Sequence, residues 1–220
     1  MLLGAHLDSW DLGQGADDNG VNAMSVIEAA RALKAVGAHP ARGVRFVLFG
    51  GEEQGLLGSL GYARAHAAEI PRLGAVVIMD AGSGRTTGFN LGGRPDLVDT
   101  YRHLLGPISA FGAGSFNTEP FFGSDNFYFM LEGVPTLFAN QDLSQYVRHY
   151  HATTDTFDRV DAREALINSA LLAEVAYALA SAPGSLGAHT PRDVMMKALQ
   201  AAGVDKVLRP YGQWPPPQVR

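Results

Sequence analysis

Two adjacent acidic pairs, Asp17–Asp18 and Glu52–Glu53, a His6–x–Asp8 triplet, and the isolated Asp80 and His151 are the residues of this chain best suited to chemistry. There is no cysteine, so thiol nucleophiles and thiolate metal sites are excluded, leaving histidine and carboxylate as the strong ligands. His6 and Asp8 stand two apart and share a face in extended backbone, so Asp8 can accept a hydrogen bond from the ring nitrogen that His6 does not use for a metal. Glu52 and Glu53 project in different directions, letting one hold a cation while the other faces a water. Taken singly, each feature has a plainer reading. His6–Asp8 is then a structural hydrogen bond, Glu52–Glu53 a solvated helix start, Asp18 a helix cap, Asp80 a paired carboxylate and His151 a loop histidine. Jointly, Asp18, Glu53 and Asp80 bring three negative charges together, with His6 and His151 as neutral ligands. Two divalent cations and a bridging hydroxide balance that cluster, whereas carboxylates without cations repel and their pKa values rise. The chemistry implied is metal-assisted hydrolysis.

These side chains fall where secondary-structure elements end. Residues 2–7 read as a short buried strand, 8–19 as a glycine-punctuated loop, and 21–36 as a helix with apolar positions at Ala23, Val26, Ile27, Ala30 and Leu33. VRFVLF at 44–49 is strand-like between Gly43 and Gly50, a helix covers 55–68, and AVVIM at 75–79 is a strand leading to Asp80. Further helices are expected at 96–105, 161–181 and 192–202, loops over 106–124, a strand around Leu137–Phe138, and an extended tail from Arg209. Alternation of strand and helix implies right-handed crossovers and a parallel sheet covered by helices. In such sheets ligands bind beyond the carboxyl ends of the strands, which is where His6, Asp8, Glu52, Glu53 and Asp80 fall.

The remaining histidines divide simply. His39, His66, His103 and His189 read as surface or packing residues, and His149 as a pocket neighbour. A net charge of −5 without a basic stretch argues against nucleic acid or an anionic membrane as partner. No run approaches the length of a membrane helix, and no signal peptide pattern is visible, so the compartment is left open.

The segments GAHLDSWDLGQGADDNG, GGEEQGLLGS, VIMDAG and HATTDT together resemble peptidase family M28, the co-catalytic zinc aminopeptidase-like family, and within it the plasma glutamate carboxypeptidase, or carboxypeptidase Q, branch. The likeness runs from Leu3 to about Pro183. It implies a three-layer α/β/α domain with a mostly parallel central sheet, the phosphorylase/hydrolase-like zinc peptidase core, shortened at its N-terminus. Residues 1–183 would form the catalytic core and 184–220 a C-terminal extension. The resemblance further implies two Zn²⁺ ions, one held by His6 and Asp80, the other by Glu53 and His151, with Asp18 bridging and Asp17 as second choice for that role. Asp8 would orient His6. Glu52 would be the general base that takes a proton from a water activated between the ions and returns it to the departing amine. Tyr146 or Tyr150 would help stabilise the oxyanion, and a cis peptide would follow Asp18. GSDNFYF, at 123–129, resembles the segment following the substrate pocket, with Asp125 buttressing the His151 loop, and Phe121, Phe122, Phe127 and Phe129 either line an apolar pocket or pack the core.

The activity so implied is exopeptidase cleavage of dipeptides or short peptides. The alternatives are a glutaminyl-cyclase-like acyltransferase with one zinc, and an inactive binding module of the same fold. A domain beginning at the HxD strand would leave a sheet edge open, as an aggregation hazard or a homodimer surface.

Overall fold

A computed structural model describes residues 1–219. Its sheet has six strands: β1 (Leu2–His6), β2 (Arg45–Phe49), β3 (Val76–Ile78), β4 (Thr86–Asn90), β5 (Ser115–Asn117) and β6 (Thr136–Gln141), in spatial order β2-β1-β3-β6-β4-β5. The first four in that order run parallel, while β4 pairs antiparallel with β6 and carries β5 parallel beside it. The sheet is therefore mostly parallel, as expected, with a reversed edge that the sequence reading lacked. Thr86–Asn90 and Ser115–Asn117 carry little of the apolar signature of a strand, and both lie in segments read as loop or left unassigned.

Strand periodicity divides the interior into two cores. Leu3, Ala5, Val77 and Met79 point to a core shared with α1 (Val21–Ala35), α3 (Val98–Leu104) and α5 (Ala162–Ser181). Leu2, Phe49, Val76 and Ile78 point to the other, shared with α2 (Leu57–Ala65), α4 (Phe127–Leu131), α6 (Arg192–Ala201) and α7 (Val204–Leu208). Helices thus cover both faces, and a helix the sequence reading lacked, α7, lies between the one expected at 192–202 and the tail read as extended; its Val204 and Leu208 join the second core. α5 starts one residue after Asp161, whose carboxylate accepts from the backbone N–H groups of Arg163 and Glu164 and so caps the helix. Among the described residues, no helix is long and apolar enough to cross a membrane.

Two close approaches set the loops at the carboxyl end of the sheet. The start of α2 presses onto the exit of β2 so tightly that a Cβ on Gly58 would lie 2.1 Å from the Gly50 carbonyl oxygen. Gly82, at φ +78°, admits Tyr146 and Asp17, which a Cβ there would meet at 2.6 and 2.9 Å.

Candidate metal centre

His6 is the last residue of β1, and its imidazole is fixed from both sides. Nδ1 donates to the Asp8 backbone carbonyl at 2.9 Å, so Nε2 faces Asp80 Oδ1 at 2.6 Å and Asp18 Oδ1 at 3.4 Å. Asp8 thus meets the imidazole through its backbone carbonyl, where the sequence suggested its carboxylate. Its carboxylate lies 3.8 Å from Nδ1 and instead accepts from the backbone N–H groups of Glu52 and Glu53, at 3.1 and 3.2 Å. The physical reason is that main-chain N–H groups leaving β2 have no sheet partner there, and a carboxylate satisfies two at once.

Asp18 sits in an irregular turn, Ala16–Gly20, that feeds α1 and contains a cis peptide between Asp18 and Asn19. Its two oxygens face different neighbours. Oδ1 approaches His6, while Oδ2 lies 3.4 Å from His151 Nε2, which is itself 3.0 Å from Glu53 Oε2. Three overlapping groups could hold a cation, His6–Asp18–Asp80, Asp18–Glu53–His151 and His6–Glu52–Glu53, and the first two meet at Asp18. Asp17 turns away and accepts from Ser83 N–H at 2.7 Å. Glu52 lines the same cavity, of about 210 Å³, with Gly55, Leu56, Phe122, Gly123, Tyr146 and Tyr150. Of the four phenylalanines, Phe122 alone lines that cavity; Phe127 and Phe129 are buried in the second core, and Phe121 packs edge-on against Phe138. His149 is outside the lining and meets Thr154.

The loop bearing His151 is held by a residue that sequence reasoning missed. Asp155 accepts from Asp17 N–H at 2.7 Å and Asp18 N–H at 3.0 Å, and its carbonyl accepts from Gln14 N–H at 2.8 Å. Asp125 does not buttress this loop. It is fully buried at the start of α4, near Asp80, His6 and Asp8. The aspartate of HATTDT four residues beyond His151 was the available signal, since a ligand-bearing loop needs an acceptor to tie it down. Trp10 was missed as well: its indole N–H donates to Glu53 Oε2 at 2.6 Å.

The electrostatics are those of crowded carboxylates. Burial, reinforced by Asp80, pushes Glu52 up to about 9, and burial with Asp18 pushes Glu53 up to about 7. Burial raises Asp80 too, against the hydrogen bond from His6. For His6 burial works against protonation, but hydrogen bonds to Asp18 and Asp80 outweigh it and hold the imidazolium up to about 12. Asp18 Oδ2 and Glu53 Oε1 are buried without a hydrogen-bond partner, a costly state for carboxylate oxygens that cations would relieve. A nitrogen and oxygen donor set of this kind suits zinc, and the cluster fits one or more zinc ions.

The profile of peptidase family M28 matches residues 1–176. The chain belongs to this family. It is 34% identical over 183 residues to carboxypeptidase Q of Mus musculus, a match covering 82% of this chain and 38% of that protein. It is 29% identical over 210 residues to leupeptin-inactivating enzyme 1 of Streptomyces exfoliatus, covering 87% of this chain and 46% of the relative. The crystal structure of a peptidase M28 precursor from Shewanella amazonensis superposes with a TM-score of 0.81 at 30% identity, over 87% of this chain and 43% of that one. This M28 chain therefore spans about a third to a half of the length of the curated relatives it matches, and it has the three-layer fold of the solved M28 structure.

Proposed function

We propose that this chain is the catalytic core of a two-zinc exopeptidase that hydrolyses dipeptides or short peptides. The observation that carries the reading is Asp18, whose two carboxylate oxygens divide between two separate ligand trios. In this reading His6 and Asp80 would hold one zinc, Glu53 and His151 would hold the other, and Asp18 would serve both. The chemistry resides in residues 1–183, and 184–220 form an extension whose α6 and α7 pack on the second core.

Bound zinc would supply Lewis acidity, polarising the scissile carbonyl and lowering the pKa of a water. Glu52 stands beside the trios with its backbone fixed by Asp8, placed to take the proton of the attacking water and return it to the leaving amine. Tyr146 and Tyr150 remain phenols. In the metal-free centre, burial and the surrounding carboxylates raise Tyr146 far above the ordinary range and Tyr150 to about 12, and both line the cavity where a phenol O–H could donate to an oxyanion. Among the described residues, no lysine or arginine lines the cavity. With Asp18, Glu53 and Asp80 neutralised by zinc, Glu52 is the one acidic group left in the lining, and a substrate's free amine could meet it, which supports cleavage next to a free amino terminus.

The test is turnover by zinc-reloaded protein on dipeptides with free and acetylated amino termini, with products identified by mass spectrometry. Cleavage of the free peptides and sparing of the acetylated ones is expected. No release with two equivalents of zinc bound, or cyclisation of amino-terminal glutamine with one equivalent, would overturn the reading.

A further inference from the structure

Trp10 belongs to none of the roles above, although it touches two of the residues assigned to zinc. It rides on the loop after β1, and its side chain is about half exposed at the mouth of the cavity. The indole N–H donates to Glu53 Oε2 at 2.6 Å, and the ring centroid lies 4.9 Å from that of His151, tilted by 38°. Tyr150 also stacks on His151, at 3.6 Å and 27°. The His151 imidazole is thus steered by two aromatic rings, one of which also grips the carboxylate beside it.

The chemistry of the indole suits this position. It is a donor only, so it can neither bind a cation through nitrogen nor take up a proton. Glu53 Oε2 is the oxygen 3.0 Å from His151 Nε2, and an ionised carboxylate oxygen can accept one hydrogen bond while a further lone pair serves a cation. A charge-assisted bond from a fixed donor restricts the rotation of Glu53, as outer partners of metal ligands do elsewhere. No Trp10 hydrogen bond or ring contact reaches His6 or Asp80 among the described residues. The ring therefore meets the Asp18–Glu53–His151 group and not the His6–Asp18–Asp80 group.

We propose that Trp10 is a positioning residue specific to the Glu53–His151 half of the centre, fixing the carboxylate through its N–H and the imidazole through its ring. The inference rests on the two-zinc reading. It makes the halves unequal, with one cation step dependent on Trp10 and the other independent of it.

The experiment is calorimetric titration of zinc into metal-free wild type, Trp10→Phe and Trp10→Ala. A parallel fluorescence titration uses Trp214→Phe, in which Trp10 is the sole tryptophan. Wild type should show two steps. Trp10→Phe keeps a ring but loses the N–H, and should weaken one step by about 10- to 100-fold while leaving the other unchanged. Trp10→Ala should weaken the same step at least as far, and Trp10 emission should change during that step alone. Urea midpoints of the metal-free variants should match wild type, separating positioning from folding. Equal weakening of both steps, or of neither, would overturn the proposal with the two-zinc reading intact. Fewer than two steps in wild type would overturn both.

Discussion

Replacing Asp155 by asparagine tests how the bridging turn is held. The carboxylate is 3% exposed and accepts one hydrogen bond from Asp17 N–H at 2.7 Å and one from Asp18 N–H at 3.0 Å. Asparagine preserves the volume and one acceptor oxygen, but it turns an NH₂ group toward the second amide, donor against donor. Losing a charge-assisted hydrogen bond costs about 1.5–3 kcal/mol, and leaving a buried N–H unpaired costs about 1–3 kcal/mol more. Relief of repulsion from the neighbouring Asp17 and Asp18 carboxylates returns about 1–2 kcal/mol. The net expectation is about 2–4 kcal/mol of lost stability in the metal-free chain. At a urea m-value of about 2–3 kcal/mol/M, the midpoint should fall by roughly 1 M. Because the same amides set Asp18, zinc affinity should drop about tenfold or more at both steps. Asp158→Asn, three residues away and exposed, is the control and should leave both readouts unchanged. An Asp155→Asn protein with wild-type midpoint and wild-type zinc affinity would refute the idea that this carboxylate holds the bridging turn.

Other consequences follow from the same geometry. Glu52→Gln should lower kcat by about 10²- to 10⁴-fold while zinc binding stays near wild type, as read by steady-state kinetics beside calorimetry. Asp125 is buried, and burial pushes its carboxyl up to about 7. A carboxyl whose folded pKa is raised stabilises the native state at low pH and loses that contribution as pH climbs toward the folded value. Urea denaturation of the metal-free protein should therefore show stability falling between about pH 4 and 7, by up to about 4 kcal/mol from this group. Asp125→Asn should flatten that part of the profile; an unaltered slope would remove Asp125 as its source. Gly58→Ala should cost about 1–3 kcal/mol in thermal or urea unfolding, because its Cβ would meet the Gly50 carbonyl oxygen at 2.1 Å and α2 must shift.

The sequence was legible where one residue's neighbours are enough to specify its state. β1, β2 and β3, with α1 and α5, follow from apolar periodicity, and the carboxyl-end location of His6, Asp80 and the Glu52–Glu53 pair follows from the ends of those strands. The reversed edge did not follow. β4 and β5 owe their extended state to pairing across the sheet, and short segments such as TTGFN and SFN carry little of it in composition. The site divides in the same way. Residues able to bind metal announce themselves by type, and all five candidates converge. The residues that hold them in place do so over distance: Trp10 reaches Glu53 across 43 positions, and Asp155 reaches Asp17 and Asp18 across 138 and 137. Asp8 could be singled out by its spacing from His6, yet its carboxylate partners lie on the turn after β2, 44 and 45 residues away.

The most direct test of the account is the number of zinc ions bound at equilibrium. Metal-free protein dialysed against buffered zinc and analysed by elemental mass spectrometry should hold two equivalents. Asp18→Ala should lose affinity for both ions together, because one carboxylate serves both trios. A wild-type protein that saturates at one equivalent, or an Asp18→Ala variant that still binds two with unchanged affinity, would contradict it.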